Sequence, residues 1–248
     1  NSQGTCTVIS PKKDDTEAIL QKAQNGLGYT TEWTYKPLSA GGSFYTKGSV
    51  SSTDYPFNKI QIPLFTVSEY QLPDGMGGTS TIQYSYEGAR IHRAGKGFLG
   101  FTKVSASNLT MGIKTVSENE FNTDHYVAMP KQTSTFLIDA NNTPVSSTTL
   151  TNTLVSPASK RFWVKTTNVQ SIQTLEGREV STINIYDDIN GNITKSTVNN
   201  SVETTITDTE YGSYLTSFLN RPTLITVNNH ALETQDHFRL KPKWYTIQ

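Results

Sequence analysis

Between Tyr84 and Phe101 the chain reads YSYEGARIHRAGKGFLGF, which sets Arg90, His92, Arg93 and Lys96 among Tyr84, Tyr86, Phe98 and Phe101. Cations interleaved with aromatic rings suit phosphate contact and base stacking. Gly95, Gly97 and Gly100 around Lys96 also suggest a loop that cradles a phosphate. A P-loop, however, needs Gly-x4-Gly-Lys-[Ser/Thr] between a strand and a helix. Here Gly97 and Phe98 follow Lys96, and both flanks read as strands. Basic and acidic residues balance at 21 each, so no wider positive field supports a nucleic acid or an anionic membrane as partner. Architecture is the better reading. The glycines let the backbone bend or approach a neighbour, and Phe98 and Phe101 are expected to be buried as filling.

The other chemically capable residues do not converge. His92, His125, His230 and His237 are dispersed, none in a ligand spacing, and read as surface or turn residues. In DDINGN, Asp188, Asn190 and Asn192 alternate as calcium ligands can, yet an EF-hand would need Gly and Glu where Ile193 and Asn199 stand. A hairpin turn fits better. The pairs Asp14/Asp15 and Glu118/Glu120 read as solvated charge. Cys6 is the single cysteine, which excludes an internal disulfide and any multi-cysteine zinc site. No GxSxG is present, so no catalytic constellation, metal site or cofactor is expected.

The elements that carry these residues read as strands. Thr makes up roughly one residue in seven, with abundant Ser, Asn and Tyr, a composition suited to a pleated and half-exposed surface. The hydrophobic share of 34% is low, as expected when strands keep a wet face. Ile82, Tyr84 and Tyr86 share one face of a strand that follows the turn PDGMGG. Ile183 and Ile185 lead into the DDINGN turn and Ile193 starts the return, while SNLTMG turns at Gly112. SVETTITDTEY alternates in the manner of an edge or surface strand. The spacing predicts an all-β, antiparallel hairpin meander with at most one short helix. Residues 16–24 stay open between two states: their periodicity allows a short helix capped near Gly26, while Asn25-Gly26 is also a hairpin turn dipeptide. No linker divides the chain, so 1–248 reads as one β-rich region. No apolar run approaches the roughly 18 residues of a membrane span.

The order of motifs resembles a known family. NGLGYTTEWTYKPL, then YPFNKIQIPLFTVSEY, then DGMGGTSTIQYSYEGARIHRAGKGFLGF is similar to the middle region of the B component of bacterial insecticidal toxin complexes. Relatives of the Salmonella virulence plasmid protein B and the Rhs/YD-repeat proteins share it. The positions that carry the resemblance are Asn25, Gly26, Tyr84, Tyr86, Gly88, Arg90, Gly95, Gly97, Phe98, Gly100 and Phe101, with Arg221 and Pro222 in FLNRPTLITV. YDDINGNIT resembles a YD repeat with one residue too many before the glycine.

The resemblance implies a segment of a Rhs-type β-shell, made of long hairpins wound around a toxic polypeptide. It implies no chemistry in this region, and secretion or display at the bacterial cell surface. It implies that residues 16–24 are the first arm of a hairpin. It also makes Tyr84 and Tyr86 part of one strand, GARIHRAGKG the connection, and FLGF the start of the partner strand.

Two functions of different class follow. The first is a structural wall segment in toxin encapsulation or delivery, partnered by flanking segments of a longer chain, an enclosed toxin polypeptide or other toxin-complex subunits. The second is a cell-surface adhesion or glycan-binding β-protein, with Trp33, Trp163 and Trp244 stacking on sugar rings. For a piece of a wall, open strand edges at SVETTITDTEY and FRLKPKWYTIQ are expected to drive self-association or to leave a mobile end.

Overall fold

Runs rich in Thr, Ser, Val, Ile and Tyr, broken by Gly, Asn and Asp, leave the backbone few options other than extended strands and tight turns. The computed structural model describes residues 19–48, 55–139, 142–158, 161–212, 222–231 and 244–247. Eighteen strands appear among them: β1 (Lys22–Gln24), β2 (Thr30–Pro37), β3 (Tyr45–Thr46), β4 (Phe57–Lys59), β5 (Phe65–Pro73), β6 (Thr79–Glu87), β7 (Arg90–His92), β8 (Gly97–Gly100), β9 (Lys103–Asn108), β10 (Ile113–Asn122), β11 (Val127–Leu137), β12 (Pro144–Ala158), β13 (Arg161–Gln173), β14 (Arg178–Tyr186), β15 (Ile193–Asn199), β16 (Glu203–Tyr211), β17 (Pro222–Ala231) and β18 (Trp244–Ile247). The helical content of the described residues is one 3-10 turn, Leu38–Ala40.

Fifteen strands form one sheet in the order β1-β2-β5-β6-β9-β10-β11-β12-β13-β14-β15-β16-β17-β18, with β3 laid parallel to β6. Apart from β3, every strand is antiparallel to its neighbours, so the meander expected from the sequence is what forms. Two insertions interrupt it. The segment between β2 and β5 supplies β4, and the segment between β6 and β9 supplies β7 and β8; these three make a second, small sheet.

The hairpin alternative holds within residues 19–24: Lys22–Gln24 pairs with Thr30–Glu32. Residues 16–18 lie outside the described residues. The turn itself is longer than an Asn-Gly dipeptide. The Asn25 carboxamide oxygen accepts the N–H groups of Leu27 and Tyr29, and the positive φ of 84° falls on Gly28 rather than Gly26. An Asx-type turn has displaced the two-residue one.

Two further expectations are corrected. SVETTITDTEY is not at an edge: its strand, β16, is hydrogen-bonded between β15 and β17. Thr-rich alternation marks wet faces, and it cannot tell an edge from the interior of a sheet with two wet faces. The partner of the Tyr84–Tyr86 strand is β9, with Tyr84 opposite Ala106 and Tyr86 opposite Val104. FLGF instead folds back on Arg90–His92 within the small sheet. Gly95 and Gly97, at φ 103° and 76°, turn that hairpin before it can reach the large sheet.

Cross-strand partners share a face, so Trp33, Tyr70 and Ile82 line one side of the large sheet while Glu32 and Gln71 line the other. The small sheet covers the first side. Its contact encloses the buried core of Leu38, Phe44, Tyr45, Ile60 and Ala89, flanked by Leu64, Tyr86, Ile91 and Phe101. Among the described residues, the large sheet beyond that junction is a single layer. All ten residues of β10, for example, are half-buried.

Candidate functional site at the junction of the two sheets

The block that drew attention in the sequence lies where the two sheets meet. Tyr86 is at its centre. Its hydroxyl donates to the Val67 carbonyl at 2.8 Å, and its ring meets Phe101 at 4.6 Å and Phe44 at 5.6 Å. Burial, helped by the neighbouring Tyr84, pushes the Tyr86 phenol up to about 12. Tyr84 stacks on Tyr86 at 6.4 Å. Such a phenol stays neutral and acts as a fixed donor, not as a base.

Gly88 is where the chain leaves the large sheet. Its φ is 64°, and a Cβ there would come within 2.4 Å of Thr102 Oγ1. The Gly88 N–H donates to the Thr46 carbonyl at 2.9 Å, and Thr102 Oγ1 donates to the Gly88 carbonyl at 3.2 Å. No side chain fits. Ala89 follows, fully buried, with its N–H donating to the Tyr45 hydroxyl at 3.2 Å and its carbonyl accepting from Ile60 N–H at 2.9 Å. The Tyr45 hydroxyl in turn donates to the Ile60 carbonyl. Burial raises the Tyr45 phenol above its ordinary range, against a smaller lowering from the Ala89 N–H. Nothing in the sequence pattern marks Tyr45. GGSFYTKG carries no periodicity that would mark it, and the only cue was a Tyr between glycine turns.

Arg90 lies over the Phe121 ring at 4.7 Å, with its Nε buried and unbonded. That is a cation–π contact within the protein. His92, expected at the surface, is buried: its ring packs 4.2 Å from Tyr126, and its Nδ1 accepts from Lys96 N–H at 3.4 Å. Lys96 covers the Tyr126 ring at 4.8 Å and donates to the His125 carbonyl at 3.1 Å. The cations therefore clamp the small sheet to the β10–β11 turn. Phe101 is half-buried against Tyr86, whereas Phe98, expected in the core, is 46% exposed. It lies on the outer side of the β7–β8 hairpin, and its ring reaches only the edge of Phe101 at 5.4 Å. Gly100, at φ 108°, turns the chain from β8 towards the large sheet.

The remaining motif residues are apart from this junction. Asn25 and Gly26 form the β1–β2 turn. Pro222 opens β17 opposite Tyr211, and Arg221 lies outside the described residues, as do Cys6, Asp14, Asp15 and His237. Glu118 pairs with Lys103 at 2.9 Å, a contact that raises the lysine above its usual range. The DDINGN segment is a self-bonded turn. The Asp187 carboxylate accepts Ile189 N–H and the Asn190 amide, which holds it below the usual carboxylate range, and Asp188 pairs with Lys165. Among the described residues no group of three or more His, Cys, Asp or Glu is placed to hold a metal. None of the described helices is long and apolar enough to cross a membrane.

Comparison with known proteins agrees with this geometry. Residues 8–133 match the family described as insecticide toxin TcdB middle/N-terminal region. The fold is similar to the crystal structure of TcdB2-TccC3, with a TM-score of 0.59, 9% identity and 85% of this chain covered. It is equally similar to the Photorhabdus luminescens Tc holotoxin pore, with a TM-score of 0.59, 9% identity and 86% covered. The chain spans 15% of the length of each of those chains. No curated protein sequence matches it.

Proposed function

This chain belongs to the insecticide toxin TcdB middle/N-terminal family, and from that premise we propose that it is a non-catalytic wall segment of a secreted toxin complex. In this reading it helps enclose a toxin polypeptide. The observation that carries it is the described sheet, a single antiparallel layer whose strands leave both faces partly exposed and which is fastened by a small core. A sheet of this kind separates two compartments more readily than it builds a pocket. The family-motif residues Tyr84, Tyr86, Gly88, Arg90 and Phe101 then serve to seat the small sheet against the wall. The hydrogen-bonded Tyr86 and the ring-bound Arg90 are occupied by structure. The test is protease protection of the enclosed polypeptide in the parent complex. Wild type is expected to shield it, and Gly88→Val, which opens the junction, to expose it. A cargo equally protected in both, with the variant shown to be unfolded at the junction, would refute the reading.

One observation favours the glycan alternative. Trp33 and Tyr70, with ring centroids 5.7 Å apart, line a cleft of about 590 Å³ with Tyr29, Thr31 and Gln24. Trp163 offers no such platform, because its Nε1 is buried and Gly191 packs on its ring. Quenching of Trp33 fluorescence by oligosaccharides at millimolar concentration, abolished in Tyr70→Ala, would support the alternative. Its absence leaves the wall reading alone.

A further inference from the structure

Six of the described hairpin turns lie at one end of the large sheet: β1–β2, β5–β6, β9–β10, β11–β12, β13–β14 and β15–β16. Strict antiparallel alternation along the strand order puts them on the same rim. Bonds at this end agree, for Leu109 N–H in the β9–β10 turn reaches the carbonyl of Thr81 near the start of β6 at 3.0 Å, and Ile138 N–H reaches the carbonyl of Gly112 in the neighbouring turn at 2.7 Å. Each turn presents a large apolar side chain to solvent. These are Leu27 (83% exposed), Met76 (93%), Met111 (71%), Ile138 (42%), Leu175 (67%) and Val202 (71%). Turn tips ordinarily carry Gly, Asn, Asp, Ser or Pro, and the turn mechanics here already use them, as in Asn25, Asp74 and Asn200. Nothing in the turn geometry requires the apolar residue between them. At the opposite end, the described turns at residues 93–96, 123–126 and 187–192 expose one large aliphatic side chain, Ile189.

The row has a period. Strands lie about 4.8 Å apart, so hairpin tips recur about every 10 Å over a rim roughly 50 Å long. It also has a sign. The described residues of the six turns include Asp74, Asp139 and Glu176 and no Lys or Arg. A rim of this sign does not suit anionic lipid or nucleic acid. Apolar residues exposed as an extended row mark an interaction surface.

We propose that this rim is a seam, docked against a second row of β-hairpins in the parent polypeptide that presents apolar sockets flanked by lysine or arginine. A second hairpin row is the partner whose period matches, since its tips repeat at the same two-strand spacing. The matched toxin chains extend far beyond the 15% that this chain spans, so a protein of that length has further polypeptide from which a second hairpin row could come. The proposal rests on the wall reading and adds the surface by which one stretch of wall joins the next.

The experiment uses the full parent polypeptide in its assembled complex. Met76→Cys and Met111→Cys are made separately, and maleimide labelling at each site is followed by peptide mass spectrometry. Labelling is expected at least tenfold slower than for a free cysteine peptide. Glu176→Lys, which leaves the Asp74 and Asn108 turn bonds in place, is expected to speed it at least threefold. Labelling at the free-peptide rate overturns the proposal, as does a rate unchanged by the charge reversal. Protection that arises only when phosphatidylcholine vesicles are added overturns it in favour of a membrane. Reactive tips around a cargo that stays protease-resistant refute the seam while leaving the wall reading intact.

Discussion

Removing one oxygen atom from Tyr45 tests whether the junction holds the two sheets together. The Tyr45 side chain is 2% exposed, and its hydroxyl bridges two main-chain groups from separate segments. It donates to the Ile60 carbonyl and accepts the Ala89 N–H at 3.2 Å. Tyr45→Phe keeps the ring and its packing but strands both groups where water does not reach, since Ala89 is fully buried and Ile60 nearly so. Each buried orphan costs about 1–3 kcal/mol, so the substitution is expected to cost about 2–5 kcal/mol. For a chain of this size that lowers the melting midpoint by roughly 5–15 °C. Tyr211→Phe is the control. Its hydroxyl donates to the Ile193 carbonyl at 3.0 Å in an exposed setting, and its loss is expected to cost less than about 1 kcal/mol. Urea titrations followed by tryptophan fluorescence, with the slope checked for constancy, give both numbers. If Tyr45→Phe shifts the midpoint no more than Tyr211→Phe, the hydroxyl bridge is not a fastening and the junction argument fails.

Gly88→Ala is expected to destabilise by about 2 kcal/mol or more from its positive φ and the Thr102 contact, measured by thermal melting. Phe101→Ala is expected to cost about 2–4 kcal/mol and Phe98→Ala less than about 1, because Phe101 is packed on Tyr86 and Phe98 faces solvent; equal costs would refute the assignment. The folded-state phenol of Tyr86 lies above its unfolded value, so its contribution is full below about pH 10 and is lost as pH rises towards about 12. Stability measured across that window is expected to fall, and to fall less steeply in Tyr86→Phe. Asp187, held below the usual carboxylate range by the Ile189 N–H, has the opposite sign: its turn is expected to loosen as pH drops below the ordinary aspartate range, read by amide exchange at Ile189.

What could be read from sequence was whatever depended on neighbours along the chain. The hairpins at PDGMGG and SNLTMG form as expected because each carries its own instructions: Asp74 Oδ1 accepts Met76 and Gly78 N–H, and Asn108 Oδ1 accepts Met111 N–H. The small sheet could not be read that way. Its strands are three or four residues long, too short for periodicity, and β4 is separated from β7 by the whole of β5 and β6. For the same reason the local sequence pattern predicts Phe98 buried and His92 at the surface, the reverse of what the structure shows. Within β7 and β8, burial is set by which side meets Phe57 and Tyr126, and both are distant in sequence.

The low hydrophobic content and the small core have one physical cause. A sheet one layer thick cannot bury either face against itself, so strands such as β10 alternate between two half-wet environments and tolerate Thr, Ser, Asn and Glu on both. Cohesion then rests on the backbone ladder, on cross-strand pairs such as Thr148 with Ser171 at 3.0 Å and Gln170 with Glu179 at 2.6 Å, and on whatever covers the ends. Among the described residues, the one place with a second layer, at Tyr45, Tyr86 and Ala89, is also where the glycine-rich motif sits. That block is therefore conspicuous in the sequence because it makes the fold's only described two-layer contact. The apolar rim follows the same logic. Under the proposed wall role, a sheet with so little core would gain stability from a neighbouring row, and the side chains best placed to make that joint are those at the hairpin tips, where the described sheet has no neighbour of its own.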